Sequence, residues 1–202
     1  MTDHAARTRL ATHEVENQPD IPARDLWASD PALRDWAAGA DTGALAAFGA
    51  EAGQARWRDA GRAANRHPPD LRLFDRGGRR LDEVTFHPAY HDLMQLGLSH
   101  GYAAVAWDGG RHATHAGLVY ALSQIEPGVC CPMTMTYAAV PALAADPALA
   151  AEWVPKLTTR AYDGSSLPLA AKHAATLGMA MTEKQGGSDV RANSTRAEAT
   201  AE

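Results

Sequence analysis

At 202 residues, 46% of them hydrophobic and 21% charged, the chain is long enough to bury its own core, so it needs neither a disulfide framework nor a metal staple to fold. A formal charge of −5 argues against a chain-wide nucleic-acid footprint, and any basic surface has to be local. Cys130 and Cys131 are adjacent, a spacing that suits neither a disulfide nor a metal site and suggests a reducing compartment. The leading MTDHAARTRLATHEVENQP has no apolar signal-peptide stretch, and no run approaches the roughly 18–20 apolar residues of a membrane span. The expected location is cytoplasmic.

In chain order, SDPALRDW places Asp30 where its carboxylate can cap a helix that opens on Pro31, and ADPALAAEW repeats the device with Asp146 and Pro147. Between Asp41 and His67, Leu45, Phe48, Ala52, Ala55 and Trp57 recur at three- and four-residue steps, which predicts one long helix ended by HPP. LRLFD and LDEVTF flank RGGRR and read as a small hairpin. Two further helices, each bounded by glycine, are expected in HPAYHDLMQLGLSHG and GGRHATHAGLVYALSQI. Pro132 can open another in CPMTMTYAAVPAL. At Gly178 the pattern changes: Met179 and Met181 alternate with Ala180 and Thr182, the period of a strand. The first ~175 residues are therefore read as mainly helical, followed by the start of a second domain.

The candidate sites divide unevenly. His87 and His91, four apart, have zinc spacing, but Pro88 favours the first helical turn and pushes His87 out to the cap. No third ligand accompanies them, so no metal is expected. A solvated or capping role is preferred for His112 and His115, a solvated hairpin tip for Arg76, Arg79 and Arg80, and a buried small hydrophobe for Cys131. Thr134 and Thr136 bring hydroxyls into an apolar run, where a back-bond to a helical carbonyl competes with ligand contact. The strongest stretch is GMAMTEKQGGSDV. There Gly186 and Gly187 permit backbone geometry closed to other residues, and Ser188 sets a hydroxyl beside amides able to form an anion-binding nest.

Those residues carry a resemblance. GMAMTEKQGGSDVRANSTRAEA is similar to the flavin-binding segment of acyl-CoA dehydrogenases, usually T-E-P-x-x-G-S-D, and more closely to the AidB-type adaptive-response flavoproteins. Lys184, where the wider family has proline, and Gln185 favour that branch. So do NRHPPDLRLFDRGGRRLDEVTFHPAYHDLMQ, CPMTMTYAA and ENQP, so that the resemblance runs through most of the chain.

The resemblance implies a mainly α fold: an acyl-CoA dehydrogenase-like N-terminal helical domain with a small β-hairpin, followed by the truncated start of a middle β domain. It divides the chain into an arm at 1–28, a helical domain at 29–176 and the opening of the β domain at 177–202. It implies FAD as cofactor, with an incomplete site in this chain. The Met181 backbone and the Thr182 hydroxyl would face the flavin ring, Ser188 would bond the pyrophosphate within a turn that includes Gln185 and Gly187, and Thr134 and Thr136 would lie near the pocket. The family's catalytic base would lie beyond Glu202, so no residue here is assigned that role and the isolated piece is expected to be inactive. As partners, the resemblance implies a homotetramer, double-stranded DNA through an absent C-terminal domain, and no membrane. Three functions compete: an AidB-type flavoprotein of the DNA alkylation response, an acyl-CoA dehydrogenase proper, and a cofactor-free helical module acting only by association.

Overall fold

The computed structural model describes residues 21–109 and 111–200. Its elements run α1 (Pro31–Trp36), α2 (Thr42–Ala52), α3 (Ala55–Arg66), β1 (Asp70–Phe74), β2 (Arg80–Thr85), α4 (Pro88–Ser99), α5 (His112–Ser123), α6 (Pro127–Leu143) and α7 (Pro147–Leu157). The fold is mainly helical, with one two-stranded antiparallel hairpin. Local chemistry starts most of the helices. Asp30 accepts from the Leu33 amide at 2.9 Å and Asp41 from the Ala44 amide at 3.0 Å. Glu126 accepts from the Gly128 amide at 2.8 Å, and Asp146 takes both Ala148 and Leu149. Pro31, Pro88, Pro127 and Pro147 sit in first turns, where a missing N–H costs nothing. α4 ends with equal economy: Gly101 adopts φ +85, its amide donates to the Leu98 carbonyl at 2.9 Å, and the Tyr102 amide donates to Gly97 at 3.1 Å. That is a Schellman cap, which only a residue tolerant of the left-handed region closes easily.

The core lies between α2, α4, α5 and α6, where Phe48, Leu93, Met94, Leu118, Leu122 and Met133 are fully buried. α4 is the central helix, packed by α3 on one side and α6 on the other, while α5 bridges α2 and α6. A smaller cluster of Ala139, Leu157 and Ala175 seats α7 against the end of α6. The loop after α7 is fastened by two lysines. Lys156 donates to the carbonyls of Leu169 and Lys172, and Lys172 to those of Asp163 and Ser165.

Two expectations about helices are corrected. The stretch from Asp41 to His67 is two helices, because Gln54 is extended (φ −67, ψ 146) between α2 and α3. The cause is tertiary. Residues 24–26 cross α2 as a strap: the Arg24 amide takes the Gly53 carbonyl, which a continuing helix would use, while the Gly49 carbonyl accepts both the Leu26 and the Gly53 amides. Pro132 does not open a helix either, since α6 begins at Pro127 under the Glu126 cap and carries Pro132 inside it. The strand expected from Gly178 is irregular chain, with one isolated bridge, Glu183 to Gly186, because no neighbouring strand among the described residues offers a ladder. Of the arm at 1–28, residues 1–20 fall outside the described residues, and 21–28 include the strap.

The strap makes Gly53 irreplaceable. A Cβ there would stand 1.9 Å from the Arg24 carbonyl oxygen, a backbone atom with little room to move, whereas Gly43 on the exposed start of α2 meets nothing closer than 3.4 Å. Gly53→Ala should destabilise the chain by about 1–3 kcal/mol, the range for forced overpacking. Gly43→Ala should be neutral or stabilising by up to about 1 kcal/mol. Urea midpoints of the two variants against the parent check the contrast.

Candidate functional site

The site is built on α6. Thr136 is buried, and its hydroxyl is used twice: it donates to the Pro132 carbonyl at 2.8 Å and accepts from the Leu177 amide at 3.1 Å. The second bond ties the outgoing chain to the helix. At the neighbouring helical position, the Met135 sulfur lies 3.2 Å from the Met179 amide, so residues 177–179 run beside α6. Thr134 is on the exposed side, its hydroxyl 2.9 Å from that of Tyr102. Burial pushes the Tyr102 phenol well above its usual pKa, so it bonds Thr134 as a neutral hydroxyl.

From Met181 the chain turns back on itself. Glu183 and Gly186 exchange backbone hydrogen bonds at 3.2 and 3.1 Å around Lys184 and Gln185. The Glu183 carboxylate reaches across the loop to accept from the amides of Ser194 (2.9 Å) and Thr195 (2.7 Å), and it also takes the Gln185 side-chain amide. Asn193 closes the other side, its side-chain amide donating to the Met181 carbonyl at 2.6 Å. Residues 181–195 thus form a stapled loop. Gly186 and Gly187 do not adopt a left-handed backbone, contrary to expectation. Gly187 instead lies close to Thr182: a Cβ would stand 3.1 Å from Thr182 Cγ2 and 3.2 Å from its Oγ1, so that side chain would have to shift slightly. Thr182, Gln185 and Ser188 are exposed. Neither Glu183 nor Asn193 stood out as a staple in the sequence, because their partners lie about a dozen residues away and no period connects them.

The other candidates have structural employment. His87 caps α4, Nδ1 accepting from the Ala89 amide at 3.2 Å, and His91 Nδ1 lies 2.7 Å from the Tyr162 hydroxyl. Burial pushes that phenol up to about 12. His112 stays exposed beside the Tyr137 hydroxyl. His115 is not solvated: it is buried, stacked on Tyr137 at 3.8 Å, with Nδ1 2.7 Å from the Tyr102 carbonyl, and burial lowers its pKa. Cys131 is exposed, and Cys130 is the buried thiol, because adjacent helical positions point about 100° apart. Arg76, Arg79 and Arg80 are exposed at the hairpin tip, where Arg80 pairs with Asp82 at 2.7 Å.

Two solved structures share this fold over almost the whole chain. Caenorhabditis elegans ACDH-11, determined in complex with C11-CoA, superposes with a TM-score of 0.71 at 24% identity, covering 96% of this chain and 34% of its own. Bd2924 in its apo form gives 0.72 at 24% identity, covering 90% and 37%. The chain therefore shares the fold of the matching third of these two proteins. Residues 17–164 match the adaptive response protein AidB N-terminal domain, and the chain belongs to that family. AidB of Escherichia coli (strain K12) is 43% identical over 198 residues, which cover 93% of this chain and 36% of that protein. The chain spans about a third of the length of each of these relatives.

The loop has a pH signature. Hydrogen bonds from Thr195, then Ser194, hold the Glu183 carboxyl down at about 2, from 4.5. A depressed carboxylate stabilises the folded form fully above the unfolded value, and that contribution is lost as pH falls from 4.5 towards 2. In a pH titration followed by amide chemical shifts, Ser194 and Thr195 should move together with a midpoint near 2. Glu183→Gln should abolish the shared transition while leaving the core resonances in place.

Proposed function

We propose that the chain is the N-terminal part of an FAD-dependent flavoprotein of the acyl-CoA dehydrogenase type, in which residues 181–188 and α6 form one wall of the flavin site. The observation that carries this reading is the Leu177-to-Thr136 hydrogen bond. It sets the loop against α6, while the amides of Met181, Thr182, Gly187 and Ser188 and the hydroxyls of Thr182 and Ser188 find no protein partner among the described residues. A cluster of free amides and hydroxyls fits a pyrophosphate, which needs several donors at once. Of the loop's two carboxylates, that of Glu183 is already engaged with Ser194 and Thr195, and that of Asp189 is exposed next to Ser188.

When bound, FAD supplies the capacity to accept hydride from an acyl thioester. The chain's own residues bind and orient. Ser188, with the amides of Gly187 and Ser188, would hold the pyrophosphate, and the Met181 backbone and Thr182 hydroxyl would lie towards the ring. Thr136 acts from behind as a positioning residue, and Thr134, anchored on Tyr102, shapes the neighbouring surface. No residue here is assigned the proton-abstracting role. For the whole protein we propose a homotetramer acting in the response to DNA alkylation damage.

The test is a chimaera in which this chain replaces the matching region of the Escherichia coli relative. It should purify with bound FAD, and Ser188→Ala should weaken FAD by roughly 10–100-fold, the worth of a hydrogen bond to a charged group. A folded but colourless chimaera, or an unchanged affinity, would overturn the reading. A separate expectation concerns DNA. Arg72 pairs with Glu83 and Arg80 with Asp82, so this chain should bind duplex weakly and with steep salt dependence. Replacing Arg76, Arg79 and Arg80 by alanine should leave the chimaera's duplex affinity within about twofold at ~0.15 M salt.

A further inference from the structure

Of the carboxylates that cap helices, Glu126 is the buried one, with 7% of its surface exposed; Asp30, Asp41 and Asp146 all stand nearer to water. Its oxygens accept from the Gly128 amide at 2.8 Å and the Asn65 side-chain amide at 3.2 Å, and both donors are neutral. Asp163, whose side chain is as well covered, has Lys172 at 3.5 Å as its counter-charge. Glu126 has no such partner among the described residues. The start of α6 offsets part of its charge, as at any cap. Capping does not call for burial, and a buried carboxylate without a cation is costly.

Glu126 borders a pocket of about 170 Å³ that lies where α3 ends and α4 and α6 begin. Four rings line the same pocket in two stacked pairs. His67 and His87 have centroids 4.6 Å apart with 16° between their planes, and Phe86 and Tyr90 stand at 4.1 Å and 15°. The hydrogen bonds of both imidazoles suit the neutral ring: His87 Nδ1 accepts the Ala89 amide, and His67 Nδ1 lies 2.8 Å from the Ala63 carbonyl. Apart from Asn65 the rest of the lining is aliphatic, so Glu126 is the one formal charge in an aromatic and apolar wall.

We infer that this pocket takes a methylated ammonium group, such as the cationic head of choline. Ring faces attract a cation through their quadrupole, most strongly where water is excluded, and the buried carboxylate supplies the missing counter-charge. Hydrogen bonding selects among cations. A primary ammonium brings three N–H donors and a guanidinium five, and beyond Glu126 only the Asn65 and Tyr90 side chains and the ring nitrogens could meet them. A methylated ammonium brings none. An anion would face Glu126, and a neutral apolar group would leave that charge still unpaired. The volume is below the roughly 300–1,000 Å³ of pockets for drug-sized ligands, which fits a head group alone. Free choline and a trimethylated lysine side chain carry the same head group. The pocket shares no residue with those assigned to the flavin, so its test does not depend on that reading.

The test is a titration of the whole chain, followed by the resonances of Tyr90, His87 and Val129 at about pH 8, above the ordinary histidine range. Three probes are compared at matched ionic strength: choline, its uncharged carbon isostere dimethylbutanol, and a short peptide carrying a trimethylated lysine. Choline should bind saturably and at least about tenfold more tightly than dimethylbutanol. Glu126→Gln should remove that difference while keeping the fold, because a glutamine oxygen still caps Gly128 and the Asn65 amide can turn to meet its nitrogen. Phe86→Leu should weaken choline by roughly two- to thirtyfold, the range of a cation–π contact. Should Glu126→Gln fail to fold, the parent and Phe86→Leu decide. Tighter binding of the peptide than of choline assigns the head group to a protein side chain, and the reverse to a small molecule. No saturable shift with choline or the peptide overturns the inference, as does equal affinity for dimethylbutanol or binding indifferent to both substitutions.

Discussion

A single buried hydroxyl joins the helical core to the chain that leaves it. Thr136 both back-bonds to Pro132 and accepts the Leu177 amide, so one side chain serves the helix and fixes where the next segment begins. That contact, with Leu177 packed on the Ala139–Leu157–Ala175 cluster, places the segment that follows. The Met135–Met179 approach extends it, and the Glu183 and Asn193 staples close the loop it positions. A valine at 136 would preserve the volume but leave a polar amide without a partner, which costs about 1–3 kcal/mol when the group is buried.

The surroundings of α6 explain why the helix can serve as a reference surface. Its inner side packs against α4 and α5 through Met133 and Val129, and its flank is set by a polar and aromatic seam. The Tyr102 hydroxyl shares a hydrogen bond with that of Thr134 on α6, and its carbonyl faces His115 Nδ1. Tyr137 stacks on His115 and on Trp107, whose indole N–H donates to the Tyr137 carbonyl at 3.1 Å. Satisfied polar groups of this kind cannot slide without losing their partners, so they fix a helix more narrowly than apolar packing alone. Pro132 and Pro141 inside α6 are tolerated within this frame.

What could be read from sequence divides along the range of the interaction. Asp30 with Pro31 and Asp146 with Pro147 start helices as expected, because a cap and its amide lie within three residues. The hairpin and the His87 cap were legible for the same reason. The break at Gln54 was not, since its cause is a strap some thirty residues upstream. For α6 two prolines compete for the start; Pro127 wins because Glu126 caps it, and that choice moves Cys130 inward and Cys131 outward. The glycines of the 181–188 stretch were expected to take a left-handed backbone and do not; Gly187 instead lies close to the Thr182 side chain, a contact no local pattern announces.

The central claim is that Thr136 holds the outgoing segment against α6, and hydrogen exchange at one amide tests it most directly. In the parent chain and in Thr136→Ser, the Leu177 amide should exchange slowly, because the hydroxyl acceptor is kept. In Thr136→Val it should exchange about ten- to a hundredfold faster, the equivalent of losing roughly 1.4–2.8 kcal/mol of local protection, with the amides of α4 unchanged. Equal protection of Leu177 in the serine and valine variants would contradict the account.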